Sequence, residues 1–346
     1  MEDLVEGLLG IQPDSPLFAL RADRADIRRT TEGAYRALVR PEDLGHAPPG
    51  VPPGVRAAIA ERVARSDSDP ALAAHYAGLE PTPIPPLLQR YADLVASHPD
   101  QVTQADIDAL GGAGLSPQDI VAVTQLAAFV PFQVRVMAGL RAMMTDGPAV
   151  GPATAIAVQA ASARFTMDEV PWTPRLPPVE AATATPAQLA ALDACPPAVR
   201  RSSYFLTLAQ DPASLAERGA LFNSVMYAPR GLPRADRELA TAIVSIVNGC
   251  VYCTSVHARR FAELSHEPAT MQRLLDEGLG APLDGRRRAI ADVAARLTAA
   301  PANFGAADLV PLRAVGLAEL EVLDVIHATA MFANANRLMQ SLGETG

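Results

Sequence analysis

Residues 98–140 of this chain lie over residues 300–342 without a gap, at a constant offset of 202. Pro99, Asp106, Leu110, Gly114, Leu115, Arg135 and Leu140 recur as Pro301, Asp308, Leu312, Gly316, Leu317, Arg337 and Leu342. Upstream, at an offset of 181, Gly50-Val51-Pro52 and Arg56 lie over Gly231-Leu232-Pro233 and Arg237. Self-similarity at a fixed spacing marks one structural unit built twice. Apolar residues recur at helical period over 55–64, 85–97, 117–144, 286–297 and 318–342, while strand signals are nearly absent. The chain therefore reads as all-α, a helical bundle in two tandem copies. Ser116-Pro117-Gln118-Asp119 is a capping box with proline at the first helical position. Pro131 is expected to kink or break the helix that starts there. The domain reading is 1–147, a 148–198 segment rich in Pro, Ala and Thr that links or wraps, and 199–346. Within that segment Trp172, the sole tryptophan, is expected to dock on a domain surface.

At 346 residues the chain is long enough for two domains with cores of their own. A formal charge of −9 argues against a nucleic-acid groove or an anionic membrane surface as partner. All 29 basic residues are arginine, which reflects base composition more than function. The opening Met1-Glu2-Asp3 is acidic and lacks the basic start of a signal peptide. The longest apolar stretch, 120–134, falls short of the ~18 residues of a membrane span and is interrupted by Gln125 and Pro131. The expected location is the cytoplasm. There three cysteines make no disulfide scaffold, and a C-x-x-C points to catalysis or metal binding.

That pair, Cys250 and Cys253, follows the apolar run 242–247 and the helix stop Asn248-Gly249, both of whose residues tolerate positive φ. A second helix is expected to begin at or just before Cys250. At about 100° per residue, Cys253 sits about 300° from Cys250 and His257 about 700°, so all three share one face. A helix N-terminus and a neighbouring basic group both favour a thiolate. If the two helices fold back at the turn, Glu238 comes level with His257, and a carboxylate beside an imidazole fixes its tautomer and raises its basicity. The candidate site is Glu238, Cys250, Cys253 and His257, a base relay beside a dithiol. The plainer alternatives are a structural zinc site using Cys250, Cys253 and His257, inert buried thiols, a carboxylate exposed in a first helical turn, and a packed histidine. Cys195 reads as an unreactive thiol, His327 as a core residue, and Arg286-Arg287-Arg288 as a solvated helix start or subunit contact.

The first copy lacks this chemistry. Ala57 falls where Glu238 stands, Asp69 where Cys250 stands, Leu72 where Cys253 stands and Tyr76 where His257 stands.

E-x11-C-x2-C-x3-H with Asn-Gly before the first cysteine resembles the AhpD-like alkylhydroperoxidases of the carboxymuconolactone decarboxylase superfamily. Asp324-Val325-Ile326-His327-Ala328 and Phe332 to Leu338 resemble the closing helix of that family. The resemblance covers residues 200–346, and Tyr252 departs from the histidine that the best-known members carry between the cysteines. It implies a thiol-dependent hydroperoxidase without metal, flavin or haem. Cys253 would attack an organic hydroperoxide, activated by His257 and Glu238, and Cys250 would resolve the sulfenic acid to a disulfide. An external dithiol, such as a lipoyl-carrying protein or a thioredoxin-like donor, would reopen it. Homo-oligomers are common in the family, so self-association is expected. The competing functions are a decarboxylase of the same superfamily, a disulfide reductase, and a non-catalytic redox sensor or scaffold.

Overall fold

The computed structural model describes residues 3–44, 50–145, 165–180, 182–195 and 200–345. Much of the expected 148–198 linker, and the boundary at 147, lie outside them. Helices α1 (Leu4–Leu9), α2 (Pro16–Ala22) and α3 (Ala25–Val39) lead into α4 (Pro53–Ser66), α5 (Pro70–Ala77), α6 (Pro86–Ser97), α7 (Gln104–Gly112) and α8 (Pro117–Met144). Strand β1 (Trp172–Pro174), α9 (Pro186–Asp193), α10 (Ser203–Leu208) and α11 (Pro212–Met226) follow. A second run then comprises α12 (Arg234–Val247), α13 (Val251–Ser265), α14 (Pro268–Glu277), α15 (Gly285–Ala299), α16 (Ala306–Ala314) and α17 (Glu319–Leu342), closed by β2 (Gly343–Thr345). The all-α reading holds. The strands form one short antiparallel pair with Trp172 opposite Thr345.

Local sequence sets the breaks, and it sets them twice. The left-handed residue between α4 and α5 is Ser68 (φ 60°), and between α12 and α13 it is Gly249 (φ 69°). In each turn the next amide closes back on the helix, Asp69 on the Ala64 carbonyl and Cys250 on the Ser245 carbonyl, both at 2.9 Å. Further on, α6 ends at His98 (φ −139°, ψ 57°) and α15 at Ala300 (φ −142°, ψ 59°). Asp106 reaches back to the Thr103 amide, and Asp308 to the Gly305 amide, each at 2.9 Å. A carboxylate there satisfies a donor left open at a helix start. Helix α14 occupies the added residues that change the offset from 181 to 202.

The two runs meet through α8 and α17. A Cβ on Gly139 of α8 would come within 2.4 Å of Ile326 of α17, so glycine sets their close approach. Two buried arginines then cross the seam in opposite directions. Arg135 donates to the Thr298 carbonyl at 2.9 Å and Arg337 to the Ala96 carbonyl at 2.8 Å. The donors are 202 positions apart and so are the acceptors, the reciprocity of a two-fold interface within one chain. Below the seam, Asp324 accepts from Arg24 (2.7 Å), Arg237 (2.8 Å) and the Leu232 amide (2.9 Å), which ties the N-terminal helices to α12 and α17.

Three expectations need correction. Helix α8 runs unbroken through Pro131. The missing amide costs a helical bond of order 3 kcal/mol, which packing on every side of this buried helix outweighs. Its full length and composition do suffice to cross a membrane, but its apolar window is wholly buried in the core. The Arg286–Arg288 run is bound within the chain. Arg286 pairs with Asp236 and Glu321, both at 2.8 Å, Arg287 with Glu267 at 2.5 Å, and Arg288 with Asp292 at 3.1 Å. Trp172 does dock, its indole donating to the Met339 carbonyl at 2.9 Å.

Candidate active site

Helix α12 is apolar along its buried side yet carries Glu238 there, 0% exposed, in its second turn. It is therefore neither exposed nor in the first turn. Both of its oxygens are occupied. Oε2 lies 2.5 Å from His257 Nδ1, and Oε1 accepts from Arg234 Nε at 2.7 Å. Burial acts to raise the Glu238 carboxyl, but His257 and then Arg234 outweigh it and hold the group below its ordinary 4.5. It is a carboxylate at neutral pH. The contact turns His257 Nδ1 toward the carboxylate and leaves Nε2 on the other side of the ring. The imidazole stands edge-on to Phe332, ring centroids 4.3 Å apart, which fixes its plane.

Both cysteines are free and buried, at the N-terminus of α13. Helix α13 starts one residue later than expected. Cys250 is its N-cap in extended backbone (φ −82°, ψ 95°), because the left-handed Gly249 turns the chain before it. Asn248 itself stays right-handed at φ −82°. Cys253 is in the first turn and His257 one turn beyond, so the structure brings together all four candidate residues on the α12–α13 hairpin. Burial pushes the Cys250 thiol well up and proximity to Cys253 adds to it, whereas the Cys253 amide and the Asn336 carboxamide favour the thiolate. Cys195 has a different setting, its sulfur donating to the Ala191 carbonyl at 3.5 Å and its thiol raised by burial. Among the described residues no three His, Cys, Asp or Glu side chains converge as a metal-binding set.

Sequence reasoning missed several neighbours. Arg234 stands four residues before Glu238, the spacing at which helical side chains meet, so it was within reach of the pattern. Asn336 and Asn248 bond to each other at 2.9 Å across α17 and the end of α12. Tyr204 of α10 is buried beside the thiols, its phenol raised by burial, and its hydroxyl finds no partner among the described residues. A cavity of about 180 Å³ opens against Gly249, Cys250 and Tyr252, with Gln340, Glu344 and Arg175 opposite.

Residues 212–295, which carry all four candidate residues, match the carboxymuconolactone decarboxylase family. Among solved structures the chain is similar to an alkylhydroperoxidase AhpD core, an uncharacterized peroxidase-related protein from Ralstonia eutropha JMP134. Identity is 25% over 47% of this chain and 87% of that one, with a TM-score of 0.42. An uncharacterized peroxidase-related protein from Silicibacter sp. TM1040 is also 25% identical, over 50% of this chain and 94% of its own, with a TM-score of 0.43. No curated protein matches the chain.

Proposed function

We propose that this chain, which belongs through residues 212–295 to the carboxymuconolactone decarboxylase family, is a thiol-dependent hydroperoxidase. The observation that carries the reading is the 2.5 Å contact of Glu238 with His257, on the helix whose N-terminus holds both thiols. His257, oriented by Glu238, takes the Cys253 proton. The thiolate attacks the terminal oxygen of an organic hydroperoxide, the O–O bond breaks, and the alcohol leaves with the proton. Cys253 is then a sulfenic acid, three residues from Cys250, so disulfide closure is intramolecular. An external dithiol, a lipoyl-carrying or thioredoxin-like donor in a reducing cytoplasm, reopens the bond by exchange. The cavity against Cys250 supports entry of that thiol from the Cys250 side. No step requires a metal, flavin or haem. The first repeat serves as a non-catalytic partner in an internal pseudo-dimer, and the chain self-associates.

The test is stoichiometric. Cumene hydroperoxide added to the reduced protein should remove two thiols and two hydrogens of mass, restored by dithiothreitol. Turnover with a dithiol donor should vanish in Cys253→Ser. Thiols that stay reduced would sink the mechanism and favour a non-redox activity within the family.

A further inference from the structure

We propose that Asn336 is a further member of this site, its carboxamide holding the Cys250 sulfur as the nucleophile that closes the disulfide. The inference deepens the hydroperoxidase reading and rests on it for the step it serves.

The orientation of the carboxamide follows from its partners. Ser245 commits its hydroxyl proton to the Thr241 carbonyl at 2.8 Å, so its oxygen is left as an acceptor. The group facing that oxygen at 3.0 Å is therefore Asn336 Nδ2. On the other side Asn248 Nδ2 donates to Asn336 Oδ1 at 2.9 Å. Nδ2 carries two hydrogens. One goes to Ser245, and the second is uncommitted at the turn that carries Cys250, where the carboxamide acts to favour the thiolate. Asn336 and Ser245 are 0% exposed, so water offers no substitute partner.

The first repeat is an internal control for a purely structural role. At the positions of Ser245, Asn336 and Cys250 it has Ala64, Val134 and Asp69. Its turn nevertheless closes with the same 2.9 Å backbone bond. Neither the turn nor the approach of the long helix needs the amide. Burying an amide in such a core costs free energy unless its hydrogen bonds are made. Here that polar set is present only where the thiols are.

The chemistry supplies the reason. Cys250 is buried and must lose its proton to attack the Cys253 sulfenic acid. The S–S bond forms as the S–O bond breaks, and the departing hydroxide joins the Cys250 proton as water, with no further oxidant or reductant. An N–H donor beside the sulfur stabilises the thiolate during that step.

The experiment uses the full chain with Cys195→Ser and Cys253→Ser, so that Cys250 is its lone thiol. Its ionisation is followed by thiolate absorbance against pH. Adding Asn336→Val, the residue of the other repeat, should move the midpoint upward by about one unit, a tenfold loss of thiolate below it. Restoring Cys253 and Cys195 in that variant, disulfide closure after one equivalent of hydroperoxide should slow about tenfold, with Cys253 sulfenic acid captured by dimedone. If the valine variant unfolds, Asn336→Asp keeps the shape and the bond from Asn248, and should raise the midpoint too. An unmoved midpoint in either folded variant overturns the proposal. The titration needs no peroxide, so a chain that titrates as expected but resists peroxide would refute the hydroperoxidase reading alone.

Discussion

In the first repeat the turn between α4 and α5 is held by ion pairs; in the second the same turn, between α12 and α13, carries two thiols. Asp69 meets Arg141 at 2.7 Å and Asp67 meets Arg135 at 2.8 Å. Their counterparts are Cys250 and Asn248, and Asn248 bonds to Asn336 instead of to an arginine. The backbone scarcely distinguishes the two, since the left-handed residue and the closing bond coincide. Residues common to both copies, such as Arg56 and Arg237, Gly114 and Gly316, or Arg135 and Arg337, therefore answer to the fold. Those confined to the second copy answer to something else. Each prediction below grafts a residue of one repeat onto the other, or removes a matched pair.

The largest effect is expected from Glu238→Ala, which copies Ala57. His257 loses its orienting partner, and kcat/KM for cumene hydroperoxide should fall by about 10²- to 10⁴-fold. Glu238→Gln keeps the shape and should fall comparably, because its amide no longer fixes the proton on Nδ1. Activity retained in both would make the carboxylate a packing residue and erase the distinction between the repeats.

Next comes Asp324→Ala, which copies Ala122. It strands Arg24 and Arg237, each with a side chain only 2% exposed, and a buried cation left alone costs about 3–5 kcal/mol. Urea unfolding measures it. The pH dependence gives an independent check. Burial works to raise the Asp324 carboxyl, but Arg24 and Arg237 hold it below its ordinary 3.8. The unfolded chain then binds that proton first, so the stabilisation is complete above 3.8 and is lost as pH falls through the folded value. The variant should lack that part of the acid limb.

What could be read from the sequence here is what short range fixes. Cys253 and His257 are four apart on one helix, and Glu238 reaches His257 across a turn that Asn248-Gly249 announces, so spacing alone assembles them. The repeat was legible because its offsets are constant over long stretches. Asn336 was not, since it lies 88 positions from Asn248 and meets it only once α17 packs on α12. The Arg24–Asp324 contact spans 300 positions and leaves no local trace. Pro131 misled in the other direction, because a local rule about proline met a helix whose surroundings on both repeats hold it straight through. The start of α13 was placed within one residue, but whether Cys250 is the cap or the first helical residue depends on the φ that Gly249 adopts.

A smaller effect is expected from His327→Gln, which copies Gln125. His327 is buried and its Nδ1 has no partner among the described residues. Burial, with Asp324 opposing and Arg21, Arg24 and Arg237 adding to it, brings its pKa down to about 3 from 6.5. The folded chain keeps it neutral while the unfolded chain protonates, so stability falls as pH drops from 6.5 toward 3, by up to about 1.4 kcal/mol per unit. Gln125 carries no such liability and donates to Ser214 at 2.6 Å. The variant should flatten the stability profile between pH 6 and pH 4, roughly the span set by that shift. An unchanged slope would show that His327 is protonated in the folded chain.

The smallest effect tests the seam itself. Arg135 and Arg337 cross it in matching positions, but Arg135 also pairs with Asp67 at 2.8 Å. Arg337 is held by the Ala96 and Ala333 carbonyls, both at 2.8 Å, and burial followed by the nearby Arg135 brings it down to about 9. Arg337→Met removes a charge that is expensive to bury along with two hydrogen bonds, terms of opposite sign, and should change stability by less than about 1 kcal/mol. Arg135→Met strands Asp67 and should cost about 1–3 kcal/mol. Equal costs in the two methionine variants would mean that the carbonyl contacts alone hold the seam and that the Asp67 pair belongs to the turn. Unequal costs would mean that the thiol-free repeat supplies the stronger half of the interface, and so carries stability for the repeat that carries the chemistry.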